Sequence, residues 1–259
     1  MEPVGRHGGF QRVMSYDFDG VDDRIGLGSG ALFDNAQPMT IAAWIAPDSY
    51  GEGGNFGRVI SKETTANTAG AWSVRVRSGQ TFAFVKNAPT ALQRISPINA
   101  VSTGGVFQHV AVTWNGSANT SGTILYVNGT TLGQGAGQSN ASGVFTDASQ
   151  GLNIGNNETG ANTFEGRIAH VHMYRRVLSR NEILSLMYHS AIHNTGVVGV
   201  NTTGLIGYWP MGGFEGAVIP NQSGNGFDGV VTGAVFDARN PPVNESFVVS
   251  APGGSYAAC

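Results

Sequence analysis

Polar and apolar residues alternate in short runs through most of this chain, the spacing of strands that bury one face. In TIAAWIA, residues 40–46, Ile41, Ala43 and Ile45 share one side. In WSVRVRSGQTFAFV, residues 72–85, Trp72, Val74 and Val76 alternate with Ser73, Arg75 and Arg77. Ser78-Gly79 then turns the chain into a second strand, so the segment reads as a hairpin. FQHVAVTW, residues 107–114, sets Gln108, Val110, Val112 and Trp114 against His109, Ala111 and Thr113. ILYVNGTTLG, residues 124–133, is a hairpin around Asn128-Gly129, the pair that a mirror-image two-residue turn demands. In RIAHVHMY, residues 167–174, the apolar positions Ile168, Val171 and Met173 break alternation once, which predicts a bulge.

One segment changes period. Ser179 is followed three residues later by Glu182, a capping box, and Ile183, Leu186 and Met187 then form a stripe over about two helical turns. The pattern predicts one short helix near residues 179–189. The stretches 47–57, 133–151 and 190–203 read as loops. Many short alternating strands and one helix mean a β-sandwich or barrel. We expect a single domain over 13–240, an N-terminal tail over 1–12 and a C-terminal tail over 241–259.

Composition agrees with that reading and narrows the partners. The chain has 259 residues, of which 41% are hydrophobic and 39 are glycine, a composition suited to a core joined by many tight turns. Only 12% are charged, and the net charge is −3. No basic stripe is present to displace counterions, so nucleic acid is not an expected partner. No apolar run approaches the ~20 residues that span a bilayer. The opening MEPVGRHGGFQRV lacks the apolar core of a signal peptide, so synthesis in the cytoplasm without a leader is expected. The single cysteine, Cys259, permits no intrachain disulfide.

Three stretches resemble a known family: YDFDGVDDRIGLG at 16–28, HVAVTWNG with LYVNG across 109–129, and FEGRIAHVHMYRRVLSRNEI at 164–183. Their order and spacing are similar to those of the laminin G-like, concanavalin A-like jelly-roll proteins. The resemblance implies an all-β, two-sheet antiparallel β-sandwich, and leaves function open, since this fold hosts lectins, hydrolases, adhesion modules and structural proteins. In such domains a segment like GLIGYWP with NQSGNGFDGVVTGAVF usually precedes the FDG motif. Here it stands at 204–236, after the helix. The order reads as a circular permutation in which residues 206–209 pair beside 167–174, with Leu205 and Trp209 buried on one face. The alternative is that 205–236 lends its strand to a neighbouring molecule.

Several groups are candidates for chemistry. Asp17, Asp19, Asp22 and Asp23 are hard oxygen ligands packed closely enough to hold calcium, or they cap a turn through backbone hydrogen bonds. The resemblance implies a structural calcium near this turn. It also implies an acidic pair on the later strand, where Ala169 and His170 stand instead, so the fold is expected to depend on calcium weakly or not at all. No other cofactor is expected. His170 and His172 lie two apart on a strand, where a solvated or hydrogen-bonded pair is favoured over a zinc site that lacks its third ligand. His109 is expected to make a structural hydrogen bond. Glycoside hydrolysis needs two facing carboxylates, and Glu63, Glu158, Glu165 and Glu215 are isolated in sequence. No catalytic residue is assigned. Tyr50, Asn55 and Phe56 are the candidate glycan contacts, rings for the apolar faces of sugars and an amide for their hydroxyls. Trp44, Trp72, Trp114 and Trp209 are expected in the core.

Three functional classes follow. The leading expectation is a non-catalytic structural or decorating protein of a large assembly, such as a phage-like virion surface, with both tails as contacts to other subunits. The second is a carbohydrate-binding or adhesion module that meets cell-surface glycans, virion-borne or extracellular. A glycan hydrolase comes third.

Overall fold

The computed structural model describes residues 14–54, 56–65, 68–143, 146–188, 202–212 and 216–242. Strands β1 (Ser15–Asp19) and β2 (Arg24–Gly28) flank the aspartate-rich turn, followed by β3 (Met39–Pro47) and β4 (Phe56–Lys62). The hairpin β5 (Trp72–Arg77) and β6 (Thr81–Lys86) leads to β7 (Leu92–Ile95), β8 (Gln108–Trp114), β9 (Thr123–Val127), β10 (Thr130–Thr131), β11 (Leu152–Ile154) and the long β12 (Glu165–Tyr174). Helix α1 (Arg180–Tyr188) precedes β13 (Leu205–Trp209), β14 (Val218–Ile219), β15 (Gly229–Thr232) and β16 (Val235–Asp237). Of the two turns expected from sequence, Asn128-Gly129 forms as read, with positive φ at both residues, while the other falls one residue later than Ser78-Gly79, with positive φ at Gly79 and Gln80.

These strands build two antiparallel eight-stranded sheets. The first runs β10-β9-β8-β3-β12-β1-β16, with β13 also paired to β12, and the second runs β14-β15-β2-β11-β4-β5-β6-β7. They stack as a jelly-roll sandwich. Ile41, Ala43 and Ile45 from the first sheet meet Trp72, Val74 and Val76 from the second in one core, with Trp114 and Trp209 among them. Each such side chain contributes about 1.5–3 kcal/mol by leaving water.

The outer face of the first sheet is covered too. Ser179 N donates to Glu182 Oε2 at 2.8 Å and Glu182 N donates to Ser179 Oγ at 3.3 Å, closing the capping box that starts α1. Ile183 and Leu186 then pack on Ala42, Ala111, Tyr126, Tyr174 and Tyr208. Trp44 is buried here, with Ala169 and Met187, and not between the sheets. The reason is register: Ile41, Ala43 and Ile45 point inward, so Trp44 points out.

One edge of β12 is shared by two strands end to end. Residues 165–168 pair with β1, and 171–174 pair with β13. The expected bulge falls at the joint, where His170 has φ +48° and its N–H donates to the carbonyl of Pro210 at 3.3 Å. The late GLIGYWP segment therefore completes a lane that the first strand fills only halfway, within the same chain. A second bulge, between Met173 and Tyr174, shifts β13 so that Ile206 is skipped in the pairing. This corrects the expectation that Leu205 and Trp209 share a face. Leu205 lies under the helix with Tyr208, while Ile206 and Trp209 enter the inter-sheet core. Gly224 and Gly226 take positive φ ahead of β15, which pairs with β2 in the opposite sheet.

The expected N-terminal tail, 1–12, lies outside the described residues, as do 243–259 of the C-terminal tail and 190–201 of the loop after the helix.

Candidate functional site

The second sheet turns a polar face outward. Alternation puts Arg75 and Arg77 of β5 on that face, across from Arg58 and Phe56 of β4. A bulge between Arg58 and Ile60 resets the phase, so that Ser61 and then Glu63 also face out. Val85 of β6 and Gln93 of β7 extend the floor, which Asn87 continues at one end. Asn162, whose carbonyl accepts the Arg58 N–H at 3.2 Å, closes one side. The result is a groove of about 300 Å³.

Its electrostatics are uneven. Arg58 is buried and donates through Nε to Glu63 Oε2 at 2.5 Å. Asn87 Nδ2 donates to the other carboxylate oxygen at 3.4 Å. Arg75 is only 7% exposed, donates through Nε to Ser73 Oγ at 2.5 Å, and holds Nη2 3.8 Å from Glu63, beyond hydrogen-bond reach. That Nη2 makes no hydrogen bond. Burial, and next the charge of Arg58, push the Arg75 guanidinium down to about 10. Burial lowers Arg77 as well. The guanidiniums of Arg77 and Arg75 stand 5.1 Å and 6.0 Å from the centre of the Phe56 ring, a cation–π arrangement that fixes all three.

Of the glycan contacts expected from sequence, the structure keeps Phe56 at a groove and separates it from Tyr50. Tyr50 is half-buried against the inter-sheet core, while the Phe56 ring lies on the outer face, because Gly51 with φ +86° reverses the chain between them. Asn55 lies outside the described residues. The reading missed Arg58, Asn87, Gln93 and Asn162 as a group, since no local pattern joins four separate segments. The signal for Arg75 and Arg77 was present in the alternation of WSVRVR.

The aspartates are divided. Carboxylate oxygens of Asp19, Asp22 and Asp23 come within 4.8 Å of one another. Asp17 does not join them; it faces Arg167 across the β1–β12 pair, with Oδ1 3.9 Å from Nη1. Two of the three are engaged in shaping the turn: Asp23 Oδ2 accepts the Asp19 N–H at 2.8 Å, and Asp19 Oδ1 accepts the Val21 N–H at 2.8 Å. Three carboxylates fit a hard cation and offer at most six oxygens, two of which already accept backbone N–H groups, against the six to eight calcium takes.

The histidines are buried beneath α1. His172 stacks on Tyr208 with ring centres 4.3 Å apart, and His170 Nδ1 lies 2.9 Å from the Tyr208 hydroxyl. His172 Nδ1 contacts the His170 carbonyl at 3.0 Å. The pair is thus hydrogen-bonded and dry, where a solvated pair was the other expectation. The His109 ring packs edge-on to Trp44 at 5.4 Å and its Nδ1 makes no hydrogen bond; the backbone of His109, not the ring, bonds to Asn128. Burial holds His109 down at about 3 and His172 well below its ordinary value.

Among the described residues no carboxylate lines the groove, and Glu63 beneath it is held by arginine. Its lining offers guanidinium and amide donors around one aromatic ring.

Among solved structures, one that the fold resembles is a Bacteroides ovatus protein assigned provisionally to carbohydrate binding, at TM-score 0.59 and 16% identity, covering 92% of this chain. The chain spans 63% of the length of that protein. Another is the heptameric SAP-like pentraxin of Limulus polyphemus, at TM-score 0.50 and 17% identity, covering 69% of this chain and 83% of that one. No curated protein matches the sequence. The family model for the concanavalin A-like lectin/glucanases superfamily matches residues 19–184, which hold β2 through β12, the whole groove and the start of the helix, and the chain belongs to that family.

Proposed function

We propose that this domain binds carbohydrate without cleaving it, through the groove on the outer face of β4–β7. The observation that carries the reading is the groove itself: a concavity that presents one aromatic ring together with side-chain amides and guanidinium donors. Apolar faces of a sugar ring stack on Phe56, and its hydroxyls bond to Asn87, Gln93 and Asn162. Membership of a lectin-rich family and the fold shared with a protein given a carbohydrate-binding role support it. The expectation of a decorating protein on a virion-like assembly rests on composition and sequence alone, and is compatible with a glycan site. We place the domain at an assembly surface or outside the cell, where glycans are met.

The test is a glycan array with the full chain, followed by titration calorimetry on any hit. Phe56→Ala and Gln93→Ala should each weaken binding about tenfold, the cost of one lost hydrogen bond or stacking contact in a buried site. Binding that survives both substitutions unchanged would place the site elsewhere.

A further inference from the structure

Three guanidinium groups line the groove above one buried carboxylate, and that carboxylate is already committed. Glu63 holds Arg58 at 2.5 Å and leaves Arg75 at 3.8 Å. Arg77 has no carboxylate within 4 Å among the described residues. Buried positive charge without a hydrogen-bonded partner is costly, so a fold tolerates it where a ligand supplies the missing anion. The groove has room for one, and both Arg75 and the more exposed Arg77 line it.

We infer that the groove selects acidic sugars, with the carboxylate or sulfate group seated on the Arg77 guanidinium beside Phe56, in the positive field of the neighbouring Arg75. This rests on the glycan-binding reading above. The guanidinium fork matches a planar carboxylate or one face of a sulfate with paired N–H donors, and the amides on the other side of the groove read neutral hydroxyls. Rigid positioning follows from the sheet: Arg75 and Arg77 alternate on one strand, and Phe56 sits directly across from Arg77. Burial, and next the charge of Arg58, lower the proton affinity of Arg75, and an anion in the groove would oppose both.

The experiment uses the full chain on an array that carries neutral, uronate- or sialate-bearing and sulfated oligosaccharides. Hits are then titrated against Arg75→Gln, Arg77→Gln and Arg75→Lys, with folding checked by circular dichroism and thermal melting. The expected result is that only acidic glycans bind. Methyl esterification should abolish binding through a carboxylate and desulfation binding through a sulfate, which identifies the anion. Arg77→Gln should weaken the hit about ten- to a hundredfold, the range for a charge-assisted hydrogen bond, and Arg75→Lys should fall between wild type and Arg75→Gln. Should Arg75→Gln fail to fold, the half-buried Arg77 decides. Neutral glycans bound with affinity indifferent to Arg77→Gln overturn the inference and leave the glycan reading intact. An array on which no glycan of any class binds overturns both.

Discussion

Trp209→Ala tests whether the late strand β13 is an integral part of the sandwich. The indole is fully buried between the sheets, 6.1 Å from Phe33, and its Nε1 donates to the carbonyl of Phe227 at 3.0 Å. Gly207 leaves the room the ring needs, since a Cβ there would lie 2.2 Å from Trp209 Cη2. A buried indole removes about 200 Å² from water, which at about 25 cal/mol per Å² is about 5 kcal/mol. Partial collapse of the cavity returns some of that, so the truncation costs about 3–5 kcal/mol. The abandoned Phe227 carbonyl adds about 1 kcal/mol. Trp209→Phe keeps most of the ring and loses the donor, so about 1–2 kcal/mol is expected. Equilibrium unfolding in urea, followed by far-ultraviolet circular dichroism, reads both variants against wild type. A Trp209→Ala protein within 1 kcal/mol of wild type would refute the reasoning. A midpoint that moves with protein concentration would mean that copies exchange the strand.

Acid should destabilise the fold through its buried histidines. Unfolded histidine takes up a proton as pH falls below about 6.5, whereas folded His109 stays neutral to about 3 and His172 is also held well below its ordinary value. The unfolded state thus binds more protons throughout that window, and stability present above pH 6.5 is lost as pH falls through it, by about 3 kcal/mol for His109 at pH 4.5, with His172 acting in the same direction. His109→Phe should flatten the pH profile of urea midpoints, and an unchanged slope in that variant would count against the account. Gly51→Ala should cost about 3 kcal/mol, since φ is +86° there and the new Cβ would meet Gly57 Cα and Thr163 O, each at 2.4 Å; a melting temperature equal to that of wild type contradicts this. Chelator should leave the melting temperature within about 2 °C, because the Asp19 and Asp23 carboxylates already cap their own turn; a drop of many degrees would mean that a bound cation stabilises the native state by mass action.

The family resemblance implied the two-sheet sandwich, and the residue pattern by itself determined the alternating strands, the hairpins near Ser78-Gly79 and at Asn128-Gly129, the capped helix and the bulge in RIAHVHMY. Each of these is local: a period of two or 3.6, or a turn residue with the right φ, acts over a few neighbours and needs no distant partner. The pattern also named Arg75 and Arg77 as outward-facing. What lay against them was not legible. Arg58, Asn87, Gln93 and Asn162 come from separate segments, and only the sheet order, set by pairing across the whole chain, brings them to one groove. The same holds for the errors. Leu205 and Trp209 were assigned one face by strict alternation, and a bulge fixed by the register of β12 parted them. The four aspartates were adjacent in sequence, yet strand pairing drew Asp17 to Arg167 and left three at the turn. Register and long-range pairing are decided by the total burial of two sheets, a quantity that no short window of sequence contains.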